Sequence, residues 1–283
     1  MKKRLLSLLP ALLAGLAGIH AQAPHYKVYA IRFAAMAHPT PISMWSDKGP
    51  DKDSVQIDFS VWLIKGDNGK NVLVDAGFRR DIDEARDFQV ANYIRPDSAL
   101  EKLGLTASDI TDIIFSHPHW DHIDGVTLFP KAHIWIQKED YNYFVGLAWA
   151  SDSTSDGYDK RDVRAMVDLN LAHRVTLVDG DDREILPGIK VYTGSRHTYN
   201  SQYVLVQSGD QKTILASDNI WVYYSLDHLV PASKGGTLDP AGYVRAMKRM
   251  KIQASSPKYI IPGHDAKVYS IFPAVADGVV LIE

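Results

Sequence analysis

The ten residues Ser116–Gly125, SHPHWDHIDG, hold three histidines and two carboxylates. They follow directly on Thr111–Phe115 (TDIIF), an apolar run that reads as a buried strand. Imidazole suits zinc, copper, iron and nickel, and carboxylates added to it make a mixed site for such a cation. Crowding several titratable groups together is costly unless they have a partner, and a metal ion supplies one. His117, His119 and His122 stand at i, i+2 and i+5, with Pro118 after the first. A helix would align ligands at i and i+4 on one face, so this spacing predicts a loop cradle. Asp121 lies inside the cluster, where it faces either a metal or a bound water.

One loop does not close such a site. Three other positions offer matching groups, each after a β-type run: His197 beyond Val191–Thr193, Asp218 beyond Thr213–Ala216 (TILA), and His264 beyond Lys258–Ile261 (KYII). Asp75 follows Asn71–Val74 (NVLV) and offers an outer carboxylate to hold a histidine N–H. Singly, each is an ordinary turn or cap residue. Their shared placement at strand ends gives them weight together.

The elements that must position these groups are mostly strands. Alternating or apolar runs occur at Lys27–Phe33, Val55–Lys65, Asn71–Val74, Asp112–Phe115, Ala132–Gln137, Lys190–Thr193, Gln202–Val206, Thr213–Ala216 and Lys258–Ile261. Gly66–Gly69 (GDNG) reads as a hairpin-like turn. Helical spacing marks Ser98–Leu103, Lys160–His173 and Pro240–Met250, the last with Asp239 as N-cap and Pro240 at the first helical position. The pattern predicts an α/β fold with sheets packed on each other and flanked by helices. Ala148–Asp159 is the most loop-like stretch and is expected to overhang a site.

The 283 residues, 46% hydrophobic and 23% charged, supply ample material for a core. A net charge of −3 argues against nucleic-acid or anionic-membrane partners, which need basic patches. Residues 1–23 read as a secretory signal peptide: the basic MKKR, the apolar Leu5–Gly18, and an A-x-A-like site at Ala21–Ala23. The apolar run is short for a membrane span, so no stable membrane insertion is expected once the leader is cleaved. The mature chain, 24–283, is read as one periplasmic or secreted domain, held together without disulfides because the sequence has no cysteine.

HPHWDH, GSRHT, ASDN and PGHD, preceded by VDAG, resemble the metallo-β-lactamase superfamily across essentially the whole mature chain. The resemblance implies an αβ/βα four-layer sandwich with mixed sheets and a binuclear metal site, usually zinc (Zn2+), in the cleft between them. By motif, His117, His119 and His197 would hold one metal. Asp121, His122 and His264 would hold the second, and Asp218 would bridge the two.

Within the superfamily the chain looks most like the N-acyl-homoserine lactonases, through DHIDGVTLFPKAHIWIQKEDY, LDPAGYVRAMKRM and IIPGHD. That likeness implies a small-molecule ester or lactone substrate, attacked by a metal-bridging hydroxide. Asp121 would act catalytically as proton carrier. A β-lactamase or a glyoxalase II-like thioesterase is the alternative. Many lactonases place a catalytic Tyr three residues after the bridging Asp; here Trp221 stands there, so the carbonyl-assisting role is expected of Tyr223 or Tyr224. Trp221, Tyr223, Tyr224, Phe144 and Trp149 are the expected walls for an acyl chain. Met36–Asp53 is expected to cover the site or to pair two subunits as a homodimer, as the corresponding arm does in related lactonases.

Overall fold

The computed structural model describes residues 24–151 and 157–283. The leader predicted at 1–23 and part of the loop at Ala148–Asp159 lie outside the described residues. Two mixed sheets carry the fold. The first runs in the order Ala274–Ala276, Val279–Ile282, Tyr26–Met36, Asp58–Gly66, Asn71–Val74, Asp112–Ile114, His133–Gln137, Val175–Val178. A short strand, Val90–Ala91, pairs with the end of Tyr26–Met36. The second sheet is Arg183–Leu186, Ile189–Thr193, Gln202–Ser208, Gln211–Ser217, Ile260–Pro262.

The layering follows from side-chain parity. Successive residues of a strand face opposite sides. Val28, Ala30, Trp62, Ile64, Val72 and Val74 pack into one core with Val204, Leu215 and Ile261 of the second sheet. Their neighbours Ile31, Phe33, Val61, Leu63 and Leu73 pack into a separate core on the other face. There they meet Tyr141 and Phe144 of the helix Lys138–Val145 and Met166 of the helix Lys160–Leu171. Tyr243, Met247 and Met250 of the helix Pro240–Gln253 join the core of the second sheet. The order is thus helix, sheet, sheet, helix. Strands buried on both faces explain runs such as NVLV, and each large side chain so buried contributes about 1.5–3 kcal/mol.

Local signals held where the chemistry was local. Lys65 pairs with Asn71 across the Gly66–Gly69 turn, where Gly69 takes a positive φ of 80° that suits glycine. The Asp239 carboxylate accepts from Gly242 N at 2.8 Å, capping its helix. Besides two-residue strands, four strands gave no clear pattern: Val175–Val178, Arg183–Leu186, Ala274–Ala276 and Val279–Ile282. The first lies at a sheet edge, as does the second, largely exposed one. The loop cradle also needs correction. His117 and His119 lie in a loop, but Trp120–Ile123 closes into one helical turn, with His122 N donating to His119 O at 3.0 Å.

Candidate metal centre

Parallel pairing gathers the chemistry. Asn71–Val74 and Asp112–Ile114 are parallel neighbours, so Asp75 and Ser116-His117 emerge at the same edge. Gln211–Ser217 and Ile260–Pro262 are also parallel, and deliver Asp218 and Gly263-His264 there. Asp75 (φ 62°) and Ser217 (φ 48°) turn the chain sharply through left-handed conformations at these strand ends. A non-glycine residue bears about 1–2 kcal/mol for that conformation.

All seven side chains expected to bind metal come together. The ligand atoms of His117, His119 and His197 lie within 4.8 Å of one another, as do those of Asp121, His122 and His264. Asp218 stands between the two sets. Its Oδ2 is 3.3 Å from His197 Nε2 and 3.8 Å from His117 Nε2. Its Oδ1 is 2.9 Å from His264 Nε2 and 3.3 Å from His122 Nε2. Asp121 Oδ2 completes the second set at 3.3 Å from His122 Nε2.

Outer contacts orient the imidazoles. Asp75 Oδ2 lies 2.8 Å from His122 Nδ1, the Gly236 carbonyl 2.8 Å from His197 Nδ1, and the Asp58 carbonyl 3.1 Å from His264 Nδ1. These acceptors draw the ring proton to Nδ1 and leave the Nε2 lone pair facing inward. Asp75 is itself fixed by Ser116 N and the Ser116 and Ser217 hydroxyls, at 2.8–2.9 Å. Inside the cluster, His117 Nε2, His122 Nε2 and Asp218 Oδ1 are buried without a hydrogen-bond partner among the described residues. Lone pairs and carboxylate oxygens thus converge at 2.9–3.8 Å, an arrangement that needs positive charge at its centre. Divalent cations fit that donor set.

The electrostatics divide the cluster. Burial, with neighbouring histidines, holds His117 well below the ordinary imidazole range. Burial and His197 bring His119 down to about 3, and burial lowers His197. These rings stay neutral, the form that coordinates. Burial opposes charge on His122 as well, but Asp121, Asp218 and Asp75 outweigh it and raise its pKa well above the usual range. Burial likewise works against the Asp218 carboxylate, but His264 and His122 keep it ionised.

The cluster opens into a cleft of about 300 Å³ walled by Trp45, Phe59, Phe88, Trp120 and Trp221. Trp221 Nε1 donates to Asp218 Oδ2 at 2.7 Å, so the residue in the lactonase tyrosine position touches the proposed bridge itself. Trp45, from Met36–Asp53, lies 5.5 Å from Trp221 and 6.3 Å from His264, ring to ring, and so lines the cleft. Tyr223 is not part of the cleft. Its backbone N–H is held by Asp265, and its ring lines a separate cavity with Asp227 and Lys267. Tyr224 packs on His228 at 4.1 Å. Phe144 is fully buried in the core, and Trp149 donates to the Phe144 carbonyl. Of the expected walls only Trp221 reaches the cleft. Phe59, Phe88 and Glu84 carried no local sequence signal, whereas Trp120 sits inside the histidine motif.

The model of the metallo-beta-lactamase superfamily matches residues 60–264. The chain belongs to that superfamily. An N-acyl homoserine lactonase, AiiB, of Agrobacterium fabrum is 26% identical over 183 residues, covering 63% of this chain and 65% of the lactonase. The match therefore spans just under two thirds of that relative. Among solved structures, a B. thuringiensis AiiA variant with N-decanoyl-L-homoserine at its active site superposes with a TM-score of 0.69 at 19% identity, over 89% of this chain and 98% of that one. AidC, a dizinc quorum-quenching lactonase, gives a TM-score of 0.63 at 19% identity, over 86% and 88%. These structural likenesses bear out the sandwich fold.

Proposed function

We propose that this superfamily member is a metal-dependent hydrolase that opens a neutral cyclic ester, a lactone of the acyl-homoserine type. Two divalent cations, zinc first among them, would be held by His117, His119 and His197 on one side and by Asp121, His122 and His264 on the other. Asp218 would bridge them. Bound there, such a pair supplies Lewis acidity toward a carbonyl and makes water acidic enough to attack near neutral pH. Asp121 would take the proton of the attacking water and pass it to the leaving ring oxygen, so that the acyl C–O bond breaks to a carboxylate and an alcohol. The aromatic walls exclude bulk water and pack the acyl arm. We read the enzyme as an exported single domain, and Met36–Asp53 as a cover for the site.

The observation that carries this reading is the lining of the cleft. Among the described residues it holds no Lys or Arg, while the wall includes Glu84 beside the aromatics. β-Lactams carry a carboxylate next to the scissile ring, which such a wall leaves unpaired; a neutral lactone needs no counter-charge. The lactonase relatives support the same choice. The test is a hydrolysis panel of lactones of varied ring and tail, nitrocefin and a glutathione thioester, on metal-loaded and chelated protein. Lactone opening that disappears on chelation is expected. Nitrocefin as the preferred substrate, or full activity after chelation, overturns the proposal.

A further inference from the structure

His197 reaches the cluster from a loop at 194–201, slung between the strands Ile189–Thr193 and Gln202–Ser208. Ser195 and Ser201, at the two feet of that loop, are fully buried, and so is Asn219, the residue after Asp218. The Asn219 side chain ties the feet together. Its Oδ1 accepts from the Ser195 hydroxyl and, at 3.1 Å, from the Ser201 hydroxyl. Ser201 Oγ in turn accepts from His197 N at 3.1 Å. Asn219 Nδ2 donates to the Gln202 and Ala216 carbonyls, each at 2.8 Å.

Simple chemistry fixes the orientation of this amide. A carbonyl only accepts, so Gln202 O and Ala216 O require the nitrogen end, and the serine hydroxyls meet the oxygen. Both N–H donors and both acceptor sites of the amide are thereby used. Asn219 N also donates to Ala216 O at 3.1 Å, so the side chain stands on the turn that presents Asp218. One buried residue thus joins the strand end that bears the proposed bridge to the loop that bears His197. Between those two groups lies the 3.3 Å separation of Asp218 Oδ2 from His197 Nε2.

Other contacts hold each partner on its own. Trp221 Nε1 donates to Asp218 at 2.7 Å, the His197 ring meets the Gly236 carbonyl at 2.8 Å, and Thr198 Oγ1 donates to Asp140 at 2.6 Å. Loss of the Asn219 tie therefore shifts the loop without releasing it.

We propose that Asn219 is the positioning residue of the first set, His117, His119 and His197. It sets the reach of His197 relative to Asp218, and with it the affinity of that set for its cation. The second set, Asp121, His122 and His264, does not depend on it. The inference rests on the two-cation reading and goes beyond it: the two sites are adjustable separately.

Zinc titration calorimetry in two backgrounds separates the sites. D121A leaves the first set whole, and H119A leaves the second. In D121A, the added change N219A is expected to weaken zinc about ten- to hundredfold, the range for outer partners of a metal ligand. In H119A it should leave zinc affinity unchanged. S201A removes one hydroxyl from the tie and the acceptor from His197 N. It should weaken zinc in D121A about two- to tenfold, as for one neutral hydrogen bond, and it carries the test if N219A does not fold. Because both changes break one tie, N219A with S201A should be no worse than N219A alone.

Equal weakening in both backgrounds overturns the proposal. So do zinc affinities that hold while only the Tm of the chelated protein falls, since that marks a purely structural residue. If wild type takes up a single zinc, the two-cation reading fails, and the role of Asn219 stands or falls on D121A alone. If wild type takes up two and D121A binds alike with and without Asn219, the role of Asn219 fails by itself.

Discussion

The Asp75 carboxylate lies 2.8 Å from His122 Nδ1, although 47 residues separate them in the chain. It joins the end of one strand to the helical turn beyond its parallel neighbour, and through His122 it reaches Asp218. Asp75→Asn keeps the shape but removes the charge that fixes the ring proton. Cation affinity should fall about 10- to 100-fold, as for outer carboxylate partners of histidine ligands. Competition against a chromogenic chelator measures it; unchanged affinity would show that the contact is only structural.

Trp221 and Asp218 make the second test. The indole N–H holds Asp218 Oδ2, leaving Oδ1 toward His122 and His264. Trp221→Phe retains the ring and deletes that donor. Cation binding should weaken about tenfold, the value of one hydrogen bond to a charged group. Titration calorimetry with zinc reads the change.

Gly263 precedes His264 in the PGHD motif. A Cβ there would stand 2.6 Å from Asp218 Oδ1. Gly263→Ala should therefore push the carboxylate aside. Elemental analysis is expected to find less bound metal, and hydrolysis should fall about 100-fold, as misplacement by an ångström costs. A variant with full metal content and rate would show that Asp218 tolerates the displacement.

Chelation should lower thermal stability. A ligand that binds only the folded state stabilises it by mass action. For two cations, each at about a thousand times its dissociation constant, removal should lower Tm by about 15 °C in a chain of this size. Re-addition should restore it at two equivalents; restoration at one would argue for a mononuclear site.

Asp162 predicts a pH dependence away from the cleft. Burial, then the neighbouring Asp124 carboxylate, pushes it up to about 9 from an ordinary 3.8. Asp124 is meanwhile held ionised by Arg79 and Arg161. Folded Asp162 keeps its proton through that window, whereas the unfolded carboxyl has lost it. The folded chain binds more protons, so stability falls as pH rises from about 4 toward 9. Asp162→Asn removes this term. Melting curves at pH 6 and pH 9 should show a smaller loss in the variant than in wild type.

Much of the site was legible because its signals are local. Each proposed ligand sits just after a strand or within the helical turn beyond one, and the apolar runs before His117, Asp218 and His264 mark those strands without any tertiary knowledge. The N-cap at Asp239 and the GDNG turn are equally short-range. The edge strands Arg183–Leu186 and Ala274–Ala276 escaped because they are short and partly exposed, and Val279–Ile282 because it is short and apolar on both faces, with Val279 in one core and Val280 and Ile282 in the other.

The wall of the cleft was largely illegible. Phe59, Phe88 and Glu84 stand among many similar residues, and nothing nearby in the chain distinguishes an aromatic that faces the cleft from one that fills the core, as Phe144 does. Tyr223 is the same lesson reversed: it lies two residues from Trp221 yet lines another cavity.

The chain itself determined which residue types lie at which strand ends, because coordination chemistry and strand periodicity are both written in short stretches. The tertiary structure alone decided that Asp218 turns one oxygen to each set of histidines, and that Trp221 rather than a tyrosine touches it. It also decided that Glu84 lines the cleft beside Phe88 and Trp120. Those relations depend on the pairing of strands far apart in sequence and on burial, which no local pattern contains.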